Sequence, residues 1–189
     1  MKNISIAMTS LLSASAIILS SCGGSGSSSQ SASDPVVSDN STSITTEDGS
    51  ASARLDQDTE LQTGIQGFTV DKIYIIDGND KKISTSEVAL NTSFSIVYEG
   101  VKKYTLKDGK AFPRLSIQVT DDNQVTVLSE SDLLASYTEG LSEETASVLR
   151  ATVTVGEPMK TGKYICSVQV VDQNNPDAGI LSTWGFDVK

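Results

Sequence analysis

The sequence predicts an all-β protein: an antiparallel β-sandwich of seven or eight strands with one or two short helical inserts. Three observations carry this. Between residues 68 and 188, short runs rich in Val, Ile, Tyr, Phe and Thr recur, several of them alternating apolar and polar residues. Turn formers separate the runs at fairly regular spacing, as at Asp77-Gly78-Asn79-Asp80 and Asp121-Asp122-Asn123. No strand alternates with a long helical pattern, so nothing supplies the crossovers of a parallel sheet.

In chain order, Phe68 to Ile76 reads as the first strand and Ile83 to Val88 as a short edge strand. Ser93 to Tyr98 places Phe94, Ile96 and Tyr98 on one face, and Arg114 to Thr120 does the same with Leu115, Ile117 and Val119. Gln124 to Leu128 returns after a turn. Ser129-Glu130-Ser131-Asp132 resembles a capped helix start running into Leu133, Leu134 and Ala135. Ser142-Glu143-Glu144 begins a second short helix, with its acids near the positive end of the dipole. Strands resume at Val148 to Val155, at Lys163 to Val171 and at Ile180 to Val188. In the last, Trp184, Phe186 and Val188 fall in step.

Gly162-Lys163-Tyr164-Ile165-Cys166 resembles the Gly-x-Tyr-x-Cys segment of immunoglobulin-like domains. There the tyrosine forms a corner at the start of the penultimate strand, two residues before the cysteine. The resemblance spans five residues and implies an immunoglobulin-like sandwich. This chain departs from the antibody pattern: the Phe94 run holds no partner cysteine and the Arg114 run holds no tryptophan.

The N-terminus reads as an address. Lys2 precedes a largely apolar run from Ile4 to Leu19, diluted by serines and somewhat short for a retained membrane span. It ends in Leu19-Ser20-Ser21-Cys22, which resembles the lipobox of bacterial lipoproteins: an apolar residue, two small residues and a cysteine. The resemblance implies cleavage before Cys22 and acylation of that cysteine, hence a lipid bilayer as partner. Gly23, in place of aspartate, implies the outer membrane in a two-membrane bacterium, with the periplasmic or surface face undecided. In a single-membrane bacterium it implies the cell membrane. Acyl chains anchor at roughly 0.8 kcal/mol per buried methylene, and one chain alone holds only marginally. The three expected parts are a signal peptide at 1–21, a lipid-anchored Ser/Gly/Asp-rich tether at 22–66, and the sandwich at 67–189.

The tether expectation rests on composition. Residues 23–63 hold seven acids against the single base Arg54, and few apolar side chains. Such a segment buries too little apolar surface to offset its ordering entropy. As a flexible coil it would span roughly 35 Å.

Composition also excludes whole classes of chemistry. Formal net charge is −10, which disfavours nucleic acid as a partner. The chain contains no histidine, which removes His-dependent triads, Cys–His dyads and most zinc and copper sites. Its cysteines are Cys22 and Cys166 alone, so acylation of Cys22 leaves Cys166 without a partner in the chain and the fold free of disulfides. Cys166 alternates with apolar residues, as a buried small hydrophobe does.

The remaining candidates each have a plain structural reading. Asp77 to Asp80, Asp121 to Asn123 and Asp172 to Asp177 offer oxygen ligands of the kind Ca²⁺ takes, but these are also the residues tight turns demand. Glu143 with Glu144, or Glu130 with Asp132, would be the acids of a carboxylate-dependent hydrolase; acids at helix starts are commonplace. Tyr98, Tyr104, Tyr137 and Trp184 are candidates for stacking on sugars or for the core, with Trp184 expected in the core. No phosphate loop, metal-ligand spacing or nucleophile elbow is present. The expectation is a non-catalytic binding or accessory module for a protein or glycan, without cofactor or metal. Alternatives are a small carboxylate-dependent glycan hydrolase acting on cell-envelope or dietary glycans, and a structural subunit of an envelope assembly.

Overall fold

The computed structural model describes residues 40–46 and 50–189, and these fall within one compact unit. The expected signal peptide and the expected acylation site, Cys22, lie outside the described residues. The strands are β1 (Ser41–Thr45), β2 (Ala51–Asp56), β3 (Gln62–Gln66), β4 (Lys72–Asp77), β5 (Glu87–Val88), β6 (Thr92–Glu99), β7 (Pro113–Asp121), β8 (Thr126–Glu130), β9 (Val148–Val155), β10 (Gly162–Asp172) and β11 (Asn175–Val188). They form a large sheet in the order β1-β2-β3-β11-β10-β7-β8 and a three-stranded sheet in the order β4-β6-β9. All pairings are antiparallel except that of β5, which lies parallel to the end of β11. The protein is therefore an antiparallel β-sandwich, as its alternating runs predict.

The arrangement is immunoglobulin-like in a specific way. The penultimate strand β10 sits between β7 and β11, while β6 and β9 pair in the opposite sheet. Tyr164 makes the expected corner. Its hydroxyl donates to the Lys160 carbonyl at 3.0 Å and accepts from the Lys160 amide at 2.9 Å. Cys166, two residues on, is a free buried cysteine.

The core follows from the period-two alternation. β10 turns Tyr164, Cys166, Val168 and Val170 inward, and β11 turns Ile180, Ser182, Trp184, Phe186 and Val188 inward. From the smaller sheet come Phe94, Ile96 and Tyr98 on β6 and Leu149, Ala151, Val153 and Val155 on β9. Phe94 locks the two layers together. Its ring meets Trp184 edge-on at 4.9 Å and Phe186 at 5.0 Å, while Trp184 and Phe186 stack at 5.0 Å.

Three expectations are corrected. First, the tether does not run to residue 66, because β1, β2 and β3 lie within 40–66. Eight strands do fall between residues 67 and 189, but three more join them from this segment. An antiparallel strand needs apolar side chains only on its inward positions, and here Leu61 and Ile65 suffice: both are buried, Ile65 opposite Ile180 of β11 and Leu61 just before β3 begins. Counting apolar residues over the whole segment hides that alternation. Second, Ser129–Ala135 is not a helix. β8 runs to Glu130, and the Asp132 carboxylate then accepts the amides of Leu134 at 2.9 Å and Leu115 at 3.4 Å, which ties a turn to β7. The one helix among the described residues is α1 (Glu143–Ala146), capped by Ser142, whose hydroxyl accepts the Thr145 amide at 3.1 Å. Third, the strand expected over Ile83 to Val88 shrinks to the two residues of β5.

Candidate functional site

The two sheets present opposite kinds of outward surface. The outward face of the smaller sheet is charged and cross-linked. Arg150 on β9 donates to Ser95 at 2.9 Å and to the Asp80 carboxylate at 2.8 Å. The Tyr74 hydroxyl donates to Glu99, and burial together with that carboxylate pushes the phenol up to about 12.

The outward face of the larger sheet is neutral over most of its breadth. Register fixes which side chains share it. One row crosses the strands as Ile44, Ala53, Gly64, Leu181, Gln169 and Ser116. The next runs Thr42, Leu55, Gln62, Thr183, Ser167, Gln118 and Ser129. No member of either row is charged, although one residue in five of the chain is. Charge appears towards the margins, with Arg114 and Asp177 at one end, Lys163 opposite Asp187 at the other, and Glu130 at the β8 edge.

Within this face lies an open groove of about 640 Å³. Ala53 and Gly64 form its floor, Ile44 and Leu55 one wall, and Leu181 with Thr183 the other. The groove exists because a glycine stands where its neighbours carry side chains: a Cβ added at Gly64 would meet nothing within 4 Å. Ile44 is 73% exposed and Leu181 52% exposed, unusual exposure for large aliphatic side chains facing one groove from β1 and β11. A second hollow of about 440 Å³ continues along the same face between Gln66, Gln169 and Pro176.

The residues singled out from sequence scatter rather than converge. Trp184 is wholly buried and donates its indole N–H to the Thr59 carbonyl at 2.9 Å, so it belongs to the core. Tyr98 and Tyr104 are buried too, and desolvation raises both phenols well above their ordinary value. The Tyr104 hydroxyl donates to the Ala146 carbonyl at 2.9 Å, whereas that of Tyr98 makes no hydrogen bond of ordinary geometry. Only Tyr137 of this group is exposed, at 54%.

The loop aspartates face their own backbone. Asp77 accepts from Asn79 and Lys81, Asp121 from Asn123 and Val125, and Asp172 from Asn174 and Thr105. These amides hold the Asp77 carboxyl below its usual value. Asp121 pairs with Tyr164 and Asp172 with Pro113, so their loops sit at opposite ends of the β7–β10 ladder. Among the described residues, no group of three or more acids, histidines or cysteines is placed to hold a metal ion. Glu143 and Glu144 occupy the first turn of α1, and Glu130 ends β8.

The neutral face was not among the sequence candidates. Its signal lies in register: Gly64, Leu181 and Gln169 are neighbours only once β3, β11 and β10 are paired.

No family model matches this chain, and no curated protein does. Among solved structures the fold is similar to the soluble domain of PmoD from Methylocystis sp., at 10% identity. That match covers 62% of this chain and 89% of the other, with a TM-score of 0.34. It is also similar to the C-terminal domain of wzt, at 12% identity over 69% of this chain and 78% of that one, with a TM-score of 0.44.

Proposed function

We propose that this chain is a cell-envelope lipoprotein, anchored by acylated Cys22, whose β-sandwich serves as a non-catalytic binding module. The neutral outward face of the larger sheet is the surface it offers. Support for the anchor is the run ending in Leu19-Ser20-Ser21-Cys22. No helix among the described residues is long and apolar enough to cross a membrane. In a two-membrane cell, Gly23 directs the anchor to the outer membrane.

The observation that carries the binding reading is the contrast between faces. An acidic chain usually spends charge on its solvated surface, yet here amide, hydroxyl and aliphatic groups surround an open groove, and its one charged lining residue, Arg54, gives its guanidinium to the Val70 and Asp71 carbonyls. Such a face selects a partner that is itself neutral, because burying an unpaired charge against it would cost several kcal/mol. Backbone strain is absent from the groove, and its walls are strands rather than loops, so the surface is preorganised.

The test uses the full chain with Cys22→Ser, which removes the anchor, and envelopes isolated from the source cell. This protein is expected to bind the envelopes saturably. Leu181→Glu places a charge beside the groove at a half-exposed position and is expected to weaken that binding at least tenfold while leaving the thermal midpoint nearly unchanged. Binding that is absent, or equal in the two proteins, contradicts the assignment of this face.

A further inference from the structure

We propose that the β1 edge of the large sheet is the seam of a homodimer, in which β1 pairs antiparallel with β1 of a second copy about Ser43. The inference does not depend on the binding role assigned above. Edge strands invite pairing, and proteins blunt them with charge, proline or bulges. The other edges here are blunted: β4 carries Lys72 and Asp77, β9 carries Arg150, β8 carries Glu130 at one end and a register shift towards the other, and β5 carries Glu87. β1 reads Ser-Thr-Ser-Ile-Thr, without charge, proline or bulge, and every residue in it is exposed.

The backbone direction is fixed. Thr46 donates its amide to Ala51 at 2.9 Å and Gln57 donates to the Asn40 carbonyl at 3.0 Å. Even-numbered positions therefore bond to β2, and the amides and carbonyls of Ser41, Ser43 and Thr45 point away from the sheet. Pairing about Ser43 sets Ser43 against Ser43 and Ser41 against Thr45, and each such pair exchanges two backbone hydrogen bonds. The outward-facing groups are then used in full.

The occupant follows from charge and side chains. In this chain of net charge −10, most surfaces would repel their own copy, but this strand brings no acid to the seam. Ile44 would lie beside Thr42 of the second copy, whose neighbour on β2 is Leu55. The most exposed aliphatic residue of the groove thus gains cover, twice over by symmetry. One strand buries well under the ~800 Å² per partner of a standard interface, so pairing in free solution is weak. Tethering both copies to one bilayer would raise their effective concentration, a step that rests on the proposed anchor.

The test is register-specific cross-linking in the full chain carrying Cys22→Ser, where buried Cys166 stays silent. Directly opposed residues in a bonded pair have Cα atoms about 5.5 Å apart, within disulfide reach. Under mild oxidation Ser43→Cys is expected to form a disulfide-linked dimer. Ser41→Cys alone is expected to form at least tenfold less, but to cross-link when mixed with Thr45→Cys. Ser43→Pro, whose lost amide faces away from β2, is expected to lower association in sedimentation at least tenfold while the fold is retained. Failure of Ser43→Cys to cross-link, or equal linking through Ser41→Cys alone, overturns the proposal. A foreign strand, or another segment of the same chain lying on this edge, would give the first of these results.

Discussion

At the residue scale, Cys166 shows how one position changes meaning with its surroundings. In the immunoglobulin pattern its place belongs to a bridging cysteine, but here the thiol stands free among apolar side chains. Burial pushes it up to about 12. The folded pKa lies above the unfolded value of about 8.5, so the protonated thiol stabilises the fold fully below that value. The contribution is lost as pH rises from about 8.5 towards 12. Between pH 8 and 10 the stability measured by urea unfolding is expected to fall by about 1–2 kcal/mol, and Cys166→Ala is expected to remove most of that fall. An equal fall in both proteins would mean that the thiol is not buried as described. Much at this scale was legible beforehand. Alternation turns Cys166 and Trp184 inward, the cysteine count leaves Cys166 without a partner once Cys22 is acylated, and the Gly-x-Tyr-x-Cys resemblance implies the Tyr164 corner. The Tyr164 hydroxyl at Lys160 and the Trp184 indole at Thr59 differ in kind: the first partner is four residues away, whereas the second lies in a segment that composition reads as unfolded.

At the element scale, the hairpin β2–β3 decides where the domain begins. Asp56 starts its turn by accepting the amides of Asp58 at 3.1 Å and Thr59 at 2.9 Å, and Thr59 then receives the Trp184 indole. Thr63 and Ser182 share a buried hydroxyl contact at 2.7 Å, a polar pair that a hydropathy count scores against burial. Gly67 closes the hairpin at φ 70°, with its amide donating to Ser50 at 3.0 Å. A Cβ there would stand 2.8 Å from the Cβ of Ala178, and the left-handed backbone already disfavours it. Gly67→Ala is therefore expected to cost about 1–3 kcal/mol, read from the denaturant midpoint. In a loose tether the same change would be neutral or slightly stabilising, so an unchanged midpoint would contradict the docking of β3 on β11. The sequence conceals these strands because their outward positions are Ala, Gly and Gln with a single Leu55, which dilute the two buried residues that hold them.

At the scale of the whole molecule, the sandwich and its neutral face were legible to different degrees. Strand count and antiparallel pairing between residues 67 and 189 follow from periodicity and turn chemistry, which are local. The face is a property of register between strands distant in sequence, and its central row joins Ile44 to Ser116 through four other strands. The first expected helical insert fails for a related reason, whereas the second stands as α1: Asp132 has the composition of a cap, but its carboxylate also accepts the Leu115 amide of β7. The lipid proposed on Cys22, which would fix where the sandwich works, stands apart from all of this packing. The direct measurement is the intact mass and N-terminal peptide of the protein extracted from membranes with detergent. The account predicts a chain beginning at Cys22 whose N-terminal peptide carries two or three acyl chains. A chain that still begins at Met1, or a Cys22 without lipid, would contradict it.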